Sequence, residues 1–462
     1  MDIRLPESFL NSLEGATGFE RGAFLEAHDS SRVVTSIRFN PAKTNDPSLK
    51  AFATDKNVPW CDEGYYLTQR PSFTLDPEFH AGAYYVQEAS SMFLAEAMRQ
   101  SVDLKKPQKV LDLCAAPGGK STLIQSLLSK DSLLVSNEVI RSRTGILTEN
   151  LIKWGGANSV VTSNDPAAFS SLRSYFDVIV VDAPCSGSGL FRKDPDAIKE
   201  WSTDNVTLCS RRQQRILADV QSALRPGGVL IYSTCSYSEA EDEEIADMLT
   251  NEWGWDPVAL NLREEWNIIE TKGKQGSVGY RFYPDKIMGE GFFISVFRKT
   301  ENGIDLQATE KKQKTFHSKG NQFQPIETPT LQRWIKNDVG ISFFKWQDQI
   351  IAMPEMMMHE VTELSSFLYL KKAGVNMGKW IRDELIPSHE LAMSTILSDD
   401  LPAISIDRHS ALQYLRMETL DLHPSEKGWM LIRYGQLPLG FVKSVPGRLN
   451  NHYPREWRIL NK

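Results

Sequence analysis

Two cysteines stand where covalent chemistry would use them. Cys185 lies in Asp182-Ala183-Pro184-Cys185-Ser186-Gly187-Ser188-Gly189, and Cys235 in Ser233-Thr234-Cys235-Ser236. Each follows an apolar run, FDVIVVDAP (176 to 184) and GGVLIYSTCS (227 to 236), so both thiols are expected at strand ends facing one cleft. A lone free cysteine is more often a small buried hydrophobe, but two in such settings point to catalysis. Carbon 5 of cytosine is too weak a nucleophile to take a methyl group unaided. A thiolate adding at carbon 6 makes carbon 5 enamine-like; carbon 5 then takes a sulfonium methyl, a base removes its proton, and the sulfur leaves. Asp182 is placed to hydrogen-bond the Watson–Crick edge and lower the barrier to addition. The attacking thiol must first ionise, which for catalytic cysteines means a pKa brought from about 8.5 to roughly 3.5–7.5. Lys120 and the sulfonium would both favour that. Cys61 and Cys209 have no comparable setting and read as structural; Cys114 reads as lining a cofactor with its backbone.

The elements that must position these groups begin at Lys109. Strand and helix patterns alternate there: KVLDLCA, a helix from Lys120 to about Lys130, LLVSNEV, a helix from Ser142 to Trp154, SVVTSND, then the two cysteine-bearing strands and GFFISVFRK (291 to 299). Such alternation predicts an α/β domain with a parallel sheet, whose ligands lie beyond the carboxyl ends of the strands. The first strand ends in Asp112-Leu113-Cys114-Ala115-Ala116-Pro117-Gly118-Gly119-Lys120, where small residues let backbone approach a ligand and a helix start favours a carboxylate. Glu138 ends the second strand, at the distance expected of an acid that holds a ribose diol. Asp165 ends the third and is placed to accept from an adenine amino group. Together they predict a nucleoside cofactor. No GxGxxG turn occurs, and a phosphate loop of the form GxxxxGK[ST] fails because position 114 is cysteine.

At 462 residues the chain is too long for one core, and about three units are expected. The boundaries read as a mixed α/β module over 1–100, the sheet domain over 101–300, a polar linker over 301–324, a helical or mixed subdomain over 325–400 and a strand-rich end over 401–462 suggestive of a small β-barrel. With 41% hydrophobic residues and no long apolar run, the composition is that of a soluble globular protein, and neither a membrane span nor a secretory signal is expected. The five cysteines are scattered without CxxC pairs, which argues against disulfides and a metal site and for a reducing, cytoplasmic setting. The formal charge of −7 hides an asymmetry: 427–462 carries seven basic residues against Glu456 alone, a basic end on an acidic body.

In its motifs the chain resembles the Nol1/Nop2/Sun family of RNA 5-methylcytosine methyltransferases: DLCAAPGGKS (112 to 121), Glu138, Asp165, DAPCSGSG (182 to 189) and STCS (233 to 236) stand in that family's order over about 84–298. The front section, with SIRFNPAKT and GAYYVQEASSM, looks like the family's N-terminal RNA-binding module. The end, LGFVK and GRLNNHYPREWR, looks like the PUA-like domain of its bacterial subgroup acting on 16S ribosomal RNA, the small-subunit methyltransferases F. The resemblance implies a Rossmann-like class I methyltransferase domain, S-adenosyl-L-methionine held by Cys114 to Lys120, Glu138, Asp165 and Asp182, Cys235 as nucleophile, and Cys185 assisting product release. It further implies action on 16S rRNA or the small ribosomal subunit near the decoding region; a monomer is expected. The basic end then has a use, since phosphate contacts supply much of RNA affinity. Among Trp429, Tyr434, Phe441, Tyr453 and Trp457, more are expected in the core than as stacking platforms. Three readings compete. One is a tRNA or another rRNA cytosine as target. Amino-group methylation, the second, needs an Asn/Asp-Pro-Pro-aromatic element that Ala183 and Cys185 break. The third is an RNA-binding assembly factor without catalysis, against which both cysteines speak.

Overall fold

The structure, a computed structural model, describes residues 5–30, 34–43, 54–301, 323–327, 329–337, 340–422, 424 and 426–460. Most of the expected linker, 302–322, lies outside the described residues, as does Lys462 at the basic end.

Nine strands form the path of the central sheet: β1 (Lys109–Asp112), β2 (Leu133–Asn137), β3 (Ser159–Thr162), β4 (Phe176–Asp182), β5 (Leu224–Thr234), β6 (Ile269–Lys272), β7 (Val278–Phe282), β8 (Phe292–Arg298) and β9 (Leu370–Ala373). Their order is β6-β7-β8-β5-β4-β1-β2-β3-β9, and a short tenth strand, Asp256–Pro257, pairs with β8. Strands β1 to β5 are mutually parallel, while β8 runs antiparallel beside β5. The central strands are apolar on both faces, and their side chains alternate between two cores. Leu111, Ile179, Val181, Leu230 and Tyr232 enter one; Val110, Val178, Val180, Val229 and Ile231 enter the other. Each side chain so buried stabilises the fold by about 1.5–3 kcal/mol.

Helices α1 (Gly119–Leu127) and α2 (Arg141–Trp154) cover the second face, through Leu123, Ile124, Leu147 and Leu151. Helices α3 (Thr203–Val220) and α4 (Glu243–Asn251) cover the first, through Ile216, Leu217, Val220, Ile245 and Leu249. Ser202 caps α3 by accepting from the N–H of Asn205.

The front module carries a four-stranded antiparallel sheet and is locked to the central domain by side chains of Arg38 and Asn40. Arg38, 1% exposed, donates from Nε to Gln87 and from a guanidinium nitrogen to the Thr122 hydroxyl of α1 at 2.6 Å, while lying over the Trp154 ring. Asn40 donates to the carbonyls of Gly82 and Trp154. Gly82 is required there, because a Cβ would come within 1.9 Å of the Lys153 carbonyl.

The described residues of 324–387, read from sequence as helical or mixed, form a five-stranded antiparallel sheet with two helices, Pro329–Gln332 and Met357–Phe367, the second of which joins the first core. Beyond it, strands Ala403–Ile406, Gly428–Tyr434, Leu437–Val445 and Arg448–Asn451 make a four-stranded sheet. Phe441 and Tyr453 are buried in this region, as expected of core aromatics, whereas Arg448, Arg455 and Arg458 are exposed.

One buried ion pair sits directly behind the cysteine cleft. Arg281 on β7 donates to both oxygens of Glu243 at the start of α4 and to the carbonyl of Tyr237. Arg281→Met is expected to destabilise the protein by about 3–5 kcal/mol, because Glu243 would remain charged without its partner. A urea denaturation midpoint unchanged from the parent's would refute this.

Candidate active site

Reversal of strand order between β1 and β4 opens a crevice beyond their carboxyl ends, and the motif residues collect around it. The loop after β1 is held in place from outside itself. Arg143 donates to the Ala116 carbonyl, Asn150 to that of Pro117, and the Ala115 N–H to the Asn137 carbonyl. Gly118 has φ +116° and a Cβ there would press on Asn150 and Leu147, so the turn into α1 needs glycine. No side chain caps α1, which leaves its first-turn N–H groups facing the crevice without that cover.

Asp112 is fully buried. One carboxylate oxygen accepts from the Ser121 hydroxyl at 2.6 Å, the other has no hydrogen-bond partner, and burial pushes its pKa up to about 7. Burial, followed by the charges of Asp112, Asp182 and Glu138, also pushes the Cys114 thiol up, so its sulfur keeps its proton. Glu138, 3% exposed, accepts from the N–H of Ile140 and lies 3.5 Å from Arg143. Asp165 is exposed, with one oxygen accepting from the N–H of Ala167.

The reacting groups are tighter. Lys120 reaches across from α1 to Asp182 at 2.8 Å, and Ser233 donates to the other Asp182 oxygen at 2.9 Å. Burial works against the Lys120 charge, but the carboxylates of Asp182 and Asp112 outweigh it and raise its pKa. The Sγ atoms of Cys185 and Cys235 lie 3.1 Å apart. The hydrogen bond with Cys235, reinforced by burial, holds the Cys185 pKa well above that of an ordinary thiol.

The groups behind this cleft carry little mark in the sequence. Arg38 supports α1 from another module, and Thr234, next to Cys235, donates to the buried Asp242 at 2.6 Å. The acidic run 239–244 was the available signal; in sequence it resembles an ordinary solvated helix start. Elsewhere, a groove of about 1130 Å³ lined by Phe343, Phe344, Met358 and His359 belongs to the C-terminal half and contains none of these groups. Among the described residues, one cluster could hold a metal, His359, Glu360 and Glu363, and Glu360 is already taken by Lys109 and Tyr175.

Five parallel strands ordered β3-β2-β1-β4-β5, an antiparallel neighbour beyond β5 and a glycine turn after β1 make this a class I methyltransferase. A solved methyltransferase homolog protein from Pyrococcus horikoshii agrees, at 30% identity and a TM-score of 0.52 over 64% of this chain and 100% of its own. NSun6 from the same organism, solved with SFG, shares the fold at a TM-score of 0.54 and 20% identity over 64% of this chain and 99% of its own. The chain belongs to the 16S rRNA methyltransferase RsmB/F family. That family's model matches residues 99–298, the N-terminal domain of 16S rRNA methyltransferase RsmF matches 5–89, and the methyltransferase RsmF PUA domain matches 402–459. Ribosomal RNA small subunit methyltransferase F of Shewanella oneidensis is 30% identical over 91% of this chain and 90% of its own, and that of Shewanella baltica OS223 is 29% identical over the same shares. The expected fold class, with its PUA-like end, and the family resemblance are thereby met, and the chain is an RNA methyltransferase. No helix among the described residues is long and apolar enough to cross a membrane.

Proposed function

We propose that this protein transfers a methyl group from S-adenosyl-L-methionine to carbon 5 of a cytosine in 16S rRNA, in the cytoplasm, through a covalent bond between Cys235 and carbon 6. The observation that carries this reading is the pair of sulfurs 3.1 Å apart, on the ends of adjacent parallel strands beside the Lys120–Asp182 ion pair.

The residues present fit the cofactor. The uncapped start of α1 and the glycine turn suit its carboxylate, the buried Asp112 oxygen without a partner suits its ammonium, and Glu138 suits its ribose hydroxyls. When bound, the cofactor supplies a methyl group on a sulfonium. The 114–120 loop, Glu138, Asp165 and Asp182 are the residues proposed to hold it. Asp165 and Pro117 are the exposed members of that set, consistent with contact at the rim of the crevice.

The chain's own part of the chemistry follows from where the protons lie. Cys235 adds to carbon 6 while Asp182, fixed by Lys120 and Ser233, hydrogen-bonds the base's Watson–Crick edge. Cys185 keeps its proton until it is needed. As the adduct breaks down, Cys185 passes that proton to the departing sulfur of Cys235 and takes the carbon 5 proton in exchange; Cys235 then gives one proton to solvent to regain its thiolate, the single proton that methyl transfer releases. The exposed arginines 448, 455 and 458 supply phosphate contacts for the RNA.

The test is bisulfite sequencing of rRNA and tRNA from a strain lacking the gene. Loss of protection at a 16S rRNA cytosine, restored by the wild-type gene, is the expected result. Loss in tRNA instead would move the substrate, and no loss anywhere would leave an RNA-binding assembly factor.

A further inference from the structure

The acid that follows the Cys235 strand is tied to both cysteine loops at once. Glu241 is 0% exposed. Its carboxylate accepts from the N–H of Ser186 at 2.7 Å, from the Ser186 hydroxyl at 2.6 Å and from the Ser236 hydroxyl at 2.6 Å. Ser186 follows Cys185 in the chain, and Ser236 follows Cys235. Gln213, 3.5 Å from the same carboxylate, donates also to the carbonyl of Pro184, the residue before Cys185. The two loops touch independently where the Gly189 N–H donates to the Cys235 carbonyl, an approach so close that a Cβ on Gly189 would lie 2.9 Å from that oxygen.

We propose that Glu241 is a positioning residue that sets the distance between the two thiols by holding the residue after each of them. Its meaning for catalysis rests on the cysteine chemistry proposed above; the spacing itself does not. A carboxylate suits this task because it only accepts, and two oxygens can take three converging donors. An amide in its place offers one accepting oxygen and turns two N–H donors toward groups that also donate. Loosening either loop would move one sulfur relative to the other, and displacements near 1 Å are enough to cost about 10²-fold in a reacting geometry.

The test uses the full chain and two readouts. In the first, diamide, which takes two electrons and two protons from a thiol pair, oxidises Cys185 and Cys235 to a disulfide followed by mass spectrometry. Glu241→Ala is expected to slow this by about tenfold or more, with Glu241→Gln between it and the parent. In the second, Glu241→Ala accumulates stalled protein–RNA adduct, lowering kcat and leaving the KM for RNA near the parent's. A folded Glu241→Ala protein that forms the disulfide at the parental rate overturns the proposal, even if Cys185→Ala traps adduct as expected. Slowed disulfide formation with no adduct in either variant upholds the spacing role and rejects the cysteine chemistry instead. Should Glu241→Ala fail to fold, Ser236→Ala removes one of the ties to Glu241, together with the bond its hydroxyl accepts from the Ser238 N–H; a several-fold slower disulfide supports the role, and an unchanged one overturns it.

Discussion

Cys235→Ala is expected to reduce methyl transfer to below about 10⁻⁴ of the parental rate, with binding of RNA and cofactor nearly unchanged. Nothing else in the cleft is built to replace that sulfur. Cys185 lies next to it, yet burial and the neighbouring Glu241 charge, which the substitution leaves in place, still hold its pKa above that of an ordinary thiol. Cys114, at the end of β1, is likewise kept protonated by burial and neighbouring carboxylates. Without addition at carbon 6 the base stays aromatic, and carbon 5 has no electron density to offer. Transfer of labelled methyl from S-adenosyl-L-methionine to RNA measures this directly. An active Cys235→Ala enzyme would reject the assignment of roles, and adduct formation by that variant would point to Cys185 as the nucleophile.

Cys185→Ala should behave in the opposite way: it starts the reaction and fails to finish it. The variant still presents Cys235 to carbon 6, and Asp182 still meets the base, so the covalent bond forms. What it lacks is the neighbouring proton that lets the sulfur depart. A protein–RNA species that survives denaturing electrophoresis is the expected result, with turnover reduced to about one event per enzyme. Adding Cys235→Ala to it should abolish the band. If Cys185→Ala turned over freely, the 3.1 Å contact would be structural and release would depend on some other group.

Much of this cleft was legible in the chain because buried parallel strands write themselves as unbroken apolar runs, and polar residues at their ends then stand out. The runs ending at Asp112, Asp182 and Thr234 are of that kind. The C-terminal half was not, for a reason visible at one turn. Strands Ile341–Trp346 and Gln349–Pro354 form a hairpin around Gln347 and Asp348, and Gln347 takes φ +56° without being glycine or asparagine. The usual hairpin signal is therefore missing, and the apolar segments on either side read equally well as helix. Arg38, Asp242 and Glu241 were illegible for a different cause. Buried charges look in sequence like exposed ones, and only the donors arranged around them, supplied by distant segments, reveal where they lie.

Strand β9 comes from the far side of the polar linker, yet it pairs antiparallel with β3 and closes that border of the catalytic sheet. Lys372 within it is buried against Glu390 and the Gly374 carbonyl, and Asn164 and Tyr369 exchange hydrogen bonds across the join. The segment beyond the linker and the domain that carries the cysteine cleft are therefore not beads on a string. A shortened chain ending near residue 300 would inherit an uncapped row of amides, inviting self-association, and no rotation of the tail about its tether could occur without tearing the sheet that carries the chemistry.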